Sequence, residues 1–243
     1  MRALRLGAGL LLALALWQAL VSLSGVPPFL LPGPGRVLVA LWTNRVLIGG
    51  HAVMTLTGVL IALVLGTMLG AATAVGLAAS ARCRAAIQPL LVVTQTIPVF
   101  ALAPLLTLWL GYGLASKIAV AVLVIYFPVA QAFLDAILRT PQGWMELAQV
   151  MNATPRQVLW RIRLPAALPG LASGLRLAAV YAPLGVVLGE FVGAARGLGY
   201  LMLLANGRAR IDLLFAALLV LCLLTWALHR AMEALLRRLP PVA

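Results

Sequence analysis

The chain has 243 residues, 64% of them hydrophobic and only 9% charged, with a mean hydropathy of +1.10. Soluble domains carry about 25% charged residues, so the composition excludes a soluble protein and implies a single all-α domain over residues 1–243, a bundle of membrane-crossing helices. Eighteen Lys and Arg against five Asp and Glu give a net charge of +13, which in so apolar a chain reads as Arg in cytoplasmic loops rather than as a nucleic-acid surface.

A crossing helix needs about 20 apolar residues. The first candidate runs from Ala3 to Ser24, behind Arg2 and Arg5. It is too long for a signal peptide, and Gly25-Val26-Pro27-Pro28 is a poor cleavage site, so a retained span is expected. The connector VPPFLLPGPGRV is too rich in Pro and Gly to cross. The second span is expected from His51 to Ser80, with a small residue at every fourth position: Gly58, Ala62, Gly66, Gly70, Ala74 and Ala78. On a helix these form one stripe that lets another backbone approach.

Arg82, Cys83 and Arg84 make a basic turn before a third span, Ile87–Leu110, which Pro98 and Pro104 should kink. Thr94, Gln95 and Thr96 lie near its middle, where polar groups should face a cavity or another helix. They are candidates for lining a pathway, with interhelical hydrogen bonding as the alternative. The fourth span, Ile118–Leu138, carries Tyr126, Pro128, Gln131 and Asp135, the last within reach of water or Arg139. The fifth, Leu168–Glu190, repeats the four-residue spacing at Gly174, Ala178 and Ala182, with Arg176 shallow enough to snorkel. Phe100, Tyr126, Gln131 and Tyr181 complete the set of candidate lining residues. The loop GAARGLGYLMLLANGRARID should hold a short helix at the opposite surface, and the sixth span, Leu213–Arg230, leads to Arg237 and Arg238.

Between the fourth and fifth spans lies the only sizeable polar insert, about residues 140–167 and extending to Pro169. Thr140-Pro141 and Thr154-Pro155 each read as a helix start, because Thr caps well and Pro is tolerated in a first turn. Pro165 and Pro169 should interrupt any helix that reaches them. Two short helices joined by a bend at Asn152-Ala153 are therefore expected, outside the bilayer and shaped for another protein to grip. With six spans and both termini inside, eleven Arg fall in cytoplasmic segments and six Arg or Lys outside, which places this insert in the cytoplasm.

No HExxH, CxxC, GxSxG or nucleotide-binding glycine loop is present, so no catalytic or metal residues are expected. His51 and His229 fall at span ends and Cys83 and Cys222 have no metal spacing. Asp135, Glu146, Glu190, Asp212 and Glu233 all fall at span edges or in loops. With no deep acid to couple to an ion gradient, either an external motor acts through the insert or the protein conducts passively.

The insert resembles the EAA loop of bacterial ABC-importer permeases. Glu146-Leu147-Ala148 stands for the Glu-Ala-Ala triplet, Asn152 for its glycine, and Ile162-Arg163-Leu164-Pro165 for the closing hydrophobic-x-Leu-Pro. Leu147 and Asn152 depart from the pattern, but Asn tolerates the left-handed backbone that glycine supplies. Pro104–Gly113, Ser116-Lys117, Phe127-Pro128, Gly174-Leu175-Arg176, Glu190 and Gly197-Leu198-Gly199 look like the nitrate/sulfonate/taurine branch. Within it, TQTIPVFALAPLL looks most like permeases for the hydroxymethylpyrimidine precursor of thiamine.

The resemblance implies a type I importer fold in the bacterial inner membrane, with two permease copies, most simply a homodimer, embedded in lipid. It further implies an ABC ATPase dimer gripping each loop through Glu146, Leu147, Ala148, Asn152, Ala153, Leu164 and Pro165, and an external binding protein delivering the solute. ATP and Mg would reside on the ATPase; this chain would hold no cofactor and be no enzyme. Arg156, Arg161 and Arg163 are candidates for pairing with acidic ATPase residues, against plain contact with lipid headgroups. An importer of sulfonate, taurine or nitrate is the nearer alternative. From other classes, an ATP-independent facilitator would have no use for the insert, and a membrane-embedded enzyme would need a polar cluster at one membrane face, which the sequence does not offer.

Overall fold

The computed structural model describes residues 2–27 and 29–237; Pro28 of the connector and Arg238 of the tail lie outside the described residues. Its helices, in chain order, are α1 (Arg2–Ser24), α2 (Pro34–Thr43), α3 (Arg45–Ala79), α4 (Ala81–Thr94), α5 (Val99–Leu110), α6 (Leu114–Leu138), α7 (Gln142–Val150), α8 (Pro155–Gly193), α9 (Leu198–Gly207) and α10 (Ile211–Leu236). Among the described residues there is no strand. Helices α3, α6, α8 and α10 are each long and apolar enough to cross a membrane.

The centre of the molecule is the packing of α3 and α8 on either side of α6. Val59, Ala62 and Leu63 of α3 meet Ala121, Ile125 and Val129 of α6 and Ala178, Ala182 and Val186 of α8 in one buried cluster. The stripe from Gly58 to Ala78 is buried throughout, as its spacing predicts. A β-carbon on Gly70 would stand 2.9 Å from the Tyr126 carbonyl oxygen, and one on Gly185 would stand 2.7 Å from Ala121 Cα. Only glycine lets these backbones come so close, and that proximity replaces the hydrophobic drive that lipid removes. The Leu77–Ile137–Leu159 cluster closes one end of the core, and α2, α9 and α10 close the other around Ile48, Leu198 and Leu213.

The structure corrects the sequence reading in several places. The third span is not one kinked helix: α4 and α5 meet at 95°, with the break between Thr94 and Val99. Pro98, extended at φ −62° and ψ 112°, has no N–H to give and pushes its predecessor out of helical geometry. Pro104, by contrast, stays inside α5. The connector ends in a helix, α2, that its Pro and Gly content concealed; Pro34 sits in the first turn, where its missing donor does no harm. The second span begins at Arg45 rather than His51.

The largest departure is at α8. Pro165 and Pro169 do not interrupt it; the helix runs unbroken for 39 residues from the insert to Gly193. Just before Pro165, residues Val158–Arg163 form a π turn, in which the Leu164 N–H reaches back five residues to the Leu159 carbonyl. The wide turn draws the preceding carbonyls away from the pyrrolidine ring, relieving the clash that would end an α-helix.

Candidate functional site

The insert is built by local chain chemistry. Thr140 does not cap α7; its hydroxyl donates to the Ile137 carbonyl at 2.9 Å and closes α6, and Pro141 takes the N-cap position. Helix α7 ends as the composition of the bend predicts. Asn152 adopts a left-handed φ of +50°, its N–H donates to the Gln149 carbonyl, and the Ala153 N–H donates to the Ala148 carbonyl, both at 2.9 Å. This pair of bonds is a Schellman motif with asparagine in the glycine position. Thr154 then opens α8 with a capping box: its N–H donates to Gln157 Oε1 at 2.8 Å, and the Gln157 N–H donates to Thr154 Oγ1 at 3.3 Å.

Glu146 is exposed and sits beyond the first turn of α7, too far along to gain from the helix dipole. Leu147 and Val150 of the same short helix and Met151 at its C-cap are exposed at 60%, 80% and 72%, while Ala148 is buried. A cleft of about 650 Å³ beside them is lined by Trp144, Leu147, Met151, Gln157, Arg161 and Pro165. A second, of about 480 Å³, lies between the insert and the end of α3, and here Arg156 and Arg163 face Ala78 and Ala79. The three arginines therefore divide, Arg161 to one side and Arg156 with Arg163 to the other. None pairs with an acid: among the described residues, ion pairs are confined to Glu233 with His229 and Arg230.

The candidate lining residues are not gathered into one place. The Thr94 and Thr96 hydroxyls donate back to the Leu91 and Val93 carbonyls at 2.6 and 2.8 Å, at the α4–α5 break, where Gln95 is also exposed. Phe100 and Tyr181 face outward at 67% and 41% exposure. Tyr126 instead binds α3, its hydroxyl donating to Thr73 Oγ1 at 3.0 Å. Gln131 donates to Asp135 Oδ1 at 2.9 Å, so the partner of Asp135 is Gln131 rather than Arg139.

Sequence reasoning missed a polar clamp at the opposite end of α8. Glu190 lies near the helix terminus, as expected of an edge residue, yet it is only 1% exposed. Thr55 of α3 donates to its carboxylate at 2.9 and 3.1 Å, and the Gly199 N–H donates at 2.7 Å. Thr55 Oγ1 also accepts the Leu198 N–H at 2.8 Å, and His51 Nδ1 accepts the Gly197 N–H at 3.0 Å. Lys117 of α6, 4% exposed, donates to the Arg196 carbonyl at 2.8 Å. Three spans thus hold the segment entering α9 through its backbone. Gly197, at φ +126°, has no room for a β-carbon beside the Glu190 carboxylate. The signal was present as Glu190 followed by Gly197-Leu198-Gly199, but nothing in the spacing said that the glycines wrap the acid.

Residues 62–241 match the family model for the binding-protein-dependent transport system inner membrane component. A probable ABC transporter permease protein of Haemophilus influenzae is 46% identical over 93% of this chain and 92% of its own length. The riboflavin transport system permease protein RibX of Chloroflexus aurantiacus is 38% identical over 98% and 89%. The formylaminopyrimidine transport permease protein ThiX of Halalkalibacterium halodurans is 37% identical over 78% and 76%. In fold, the chain is similar to an inward-facing structure of the MetNI methionine ABC transporter, with a TM-score of 0.67 and 21% identity over 86% of this chain and 98% of that one.

Proposed function

The chain belongs to the family of binding-protein-dependent transport system inner membrane components, and on that premise we propose that it passes a small aromatic heterocycle, of the hydroxymethylpyrimidine type, through a bacterial inner membrane. It is a multi-pass permease subunit of an ABC importer, a transport component rather than an enzyme. In the proposed arrangement α1, α3, the bent α4–α5 pair, α6, α8 and α10 make six crossings with both termini in the cytoplasm. A second copy completes the pathway, an ATPase dimer supplies the energy, and an external binding protein delivers the solute.

The observation that carries the coupling role is the continuity of α8, which joins the insert to the bundle without a joint. A displacement of α7 and the first turns of α8 is transmitted along a rod of about 58 Å, at about 1.5 Å per residue, to the Glu190 clamp on the far side. Glu146 is free to be held by the ATPase, the exposed Leu147 and Met151 offer an apolar grip, and Arg161 borders that grip as a partner for an acidic side chain. Support for a heterocyclic cargo comes from the relatives named for formylaminopyrimidine and riboflavin, both nitrogen heteroaromatics. The test is reconstitution in liposomes with the ATPase and candidate binding proteins. Stimulation of ATP hydrolysis by a pyrimidine-loaded binding protein is expected; stimulation only by a sulfonate- or nitrate-loaded one would replace the substrate and keep the importer. Glu146→Lys should abolish ATP-driven uptake with insertion unchanged, and solute flux without any ATPase would establish a facilitator instead.

A further inference from the structure

The cleft between the end of α3 and the insert does not share the character of the apolar groove on the insert's other side. Arg156 and Arg163 line it and no acid does. Arg163 Nε is buried there with no hydrogen-bond partner. Arg82 and Arg84, at the start of α4 rather than in the basic turn that the sequence suggests, add further positive charge beside the α3 end. The cleft also lies at the edge of the apolar bundle. Helix α3 finishes its apolar run at Ala79, and α8 begins its own at Leu164, directly after Arg163. On the cytoplasmic reading of the insert, the cleft thus lies where the apolar bundle gives way to the polar loop.

We infer that this cleft binds the phosphodiester headgroup of an anionic phospholipid from the inner leaflet. A guanidinium offers a planar fork of donors that matches phosphate oxygens. Basic pockets on the cytoplasmic side of membrane helices take anionic headgroups by this chemistry. At about 480 Å³ the cleft suits a headgroup. Val158 and Leu159 supply apolar wall toward the glycerol end. Arg161 lies on the opposite cleft and takes no part. The bound lipid would fill the space between α3 and the foot of the insert, bracing the part of α8 that the ATPase moves.

The assignment rests on reading the insert as cytoplasmic, and its test is independent of transport. The full chain is purified from nanodiscs of phosphatidylglycerol or phosphatidylcholine, and retained lipid is counted by native mass spectrometry. One phosphatidylglycerol per chain is expected, with no retained phosphatidylcholine. Arg163→Gln should lower retention about fivefold and the Arg156→Gln/Arg163→Gln double variant further, whereas Arg161→Gln should retain the lipid as the native chain does. Arg163→Lys, which keeps the charge but not the fork, should fall between. Equal retention in Arg163→Gln and the native chain would overturn the site, as would an equal loss in Arg161→Gln. Displacement of the lipid by equimolar inorganic phosphate would make it a free-anion site, and displacement by the assembled ATPase would make it part of that interface. Failure of ATP-driven uptake leaves the lipid count intact, so this site and the importer reading fail separately.

Discussion

The Glu190 carboxylate accepts hydrogen bonds from Thr55 and from the Gly199 backbone, and it is almost wholly buried. Removing it strands two donors in a dry site, and each buried donor without a partner costs about 1–3 kcal/mol. Glu190→Ala should therefore lower the thermal midpoint in detergent markedly, while Thr55→Ser, which keeps the hydroxyl, should stay near the native value; a midpoint unchanged in Glu190→Ala would remove the clamp from the list of stabilising features. None of this was legible in sequence. An acid at a span edge has water as its default partner, and Thr55 lies 135 residues away along the chain. Asn152 was legible, because its tolerance of positive φ is intrinsic to the residue and needs no distant partner.

Elements differ in how far their own residues decide them. The small-residue stripe of α3 is periodic, and periodicity on a helix is geometry, so its burial followed from spacing alone. The α7–α8 bend likewise rests on neighbours in sequence: a Schellman end, then a capping box. Prolines are ambiguous by comparison. A proline removes one donor and clashes with one carbonyl, and the chain can answer by breaking, as at Pro98, by continuing, as at Pro104, or by widening the turn, as before Pro165. Packing against other helices chooses among these. For the bend, Asn152→Gly should preserve it and Asn152→Ala should strain it, and Thr154→Ala should cost about 1 kcal/mol by loss of the cap. Amide exchange in the Ala148–Gln157 segment should rise in both alanine variants and stay low in Asn152→Gly; unchanged exchange throughout would mean that the rest of the complex, not the motif, sets the bend.

At the scale of the whole molecule, two polar stations stand at opposite ends of one helix: the insert where α8 begins and the Glu190 clamp where it ends. The sequence placed the first by its charge and punctuation and hid the second, since only assembled helices bring Thr55, Lys117 and Gly199 together around the loop into α9. Between the stations lies the π turn. A π turn is an α-helix carrying one surplus residue, so it changes the residue count between the stations by one while the faces on either side keep their relative orientation. Deleting Trp160, which is 63% exposed, should remove the surplus residue without emptying a core site; the faces stay aligned, but the turn before Pro165 narrows and the clash that the π turn relieves returns. Uptake should then fall with the bundle still folded and membrane-inserted, and full uptake in the deletion would show that α8 passes Pro165 without the wide turn. The foot of the shaft thus carries its slack as a residue count: one codon fewer there shortens the chain without turning the insert.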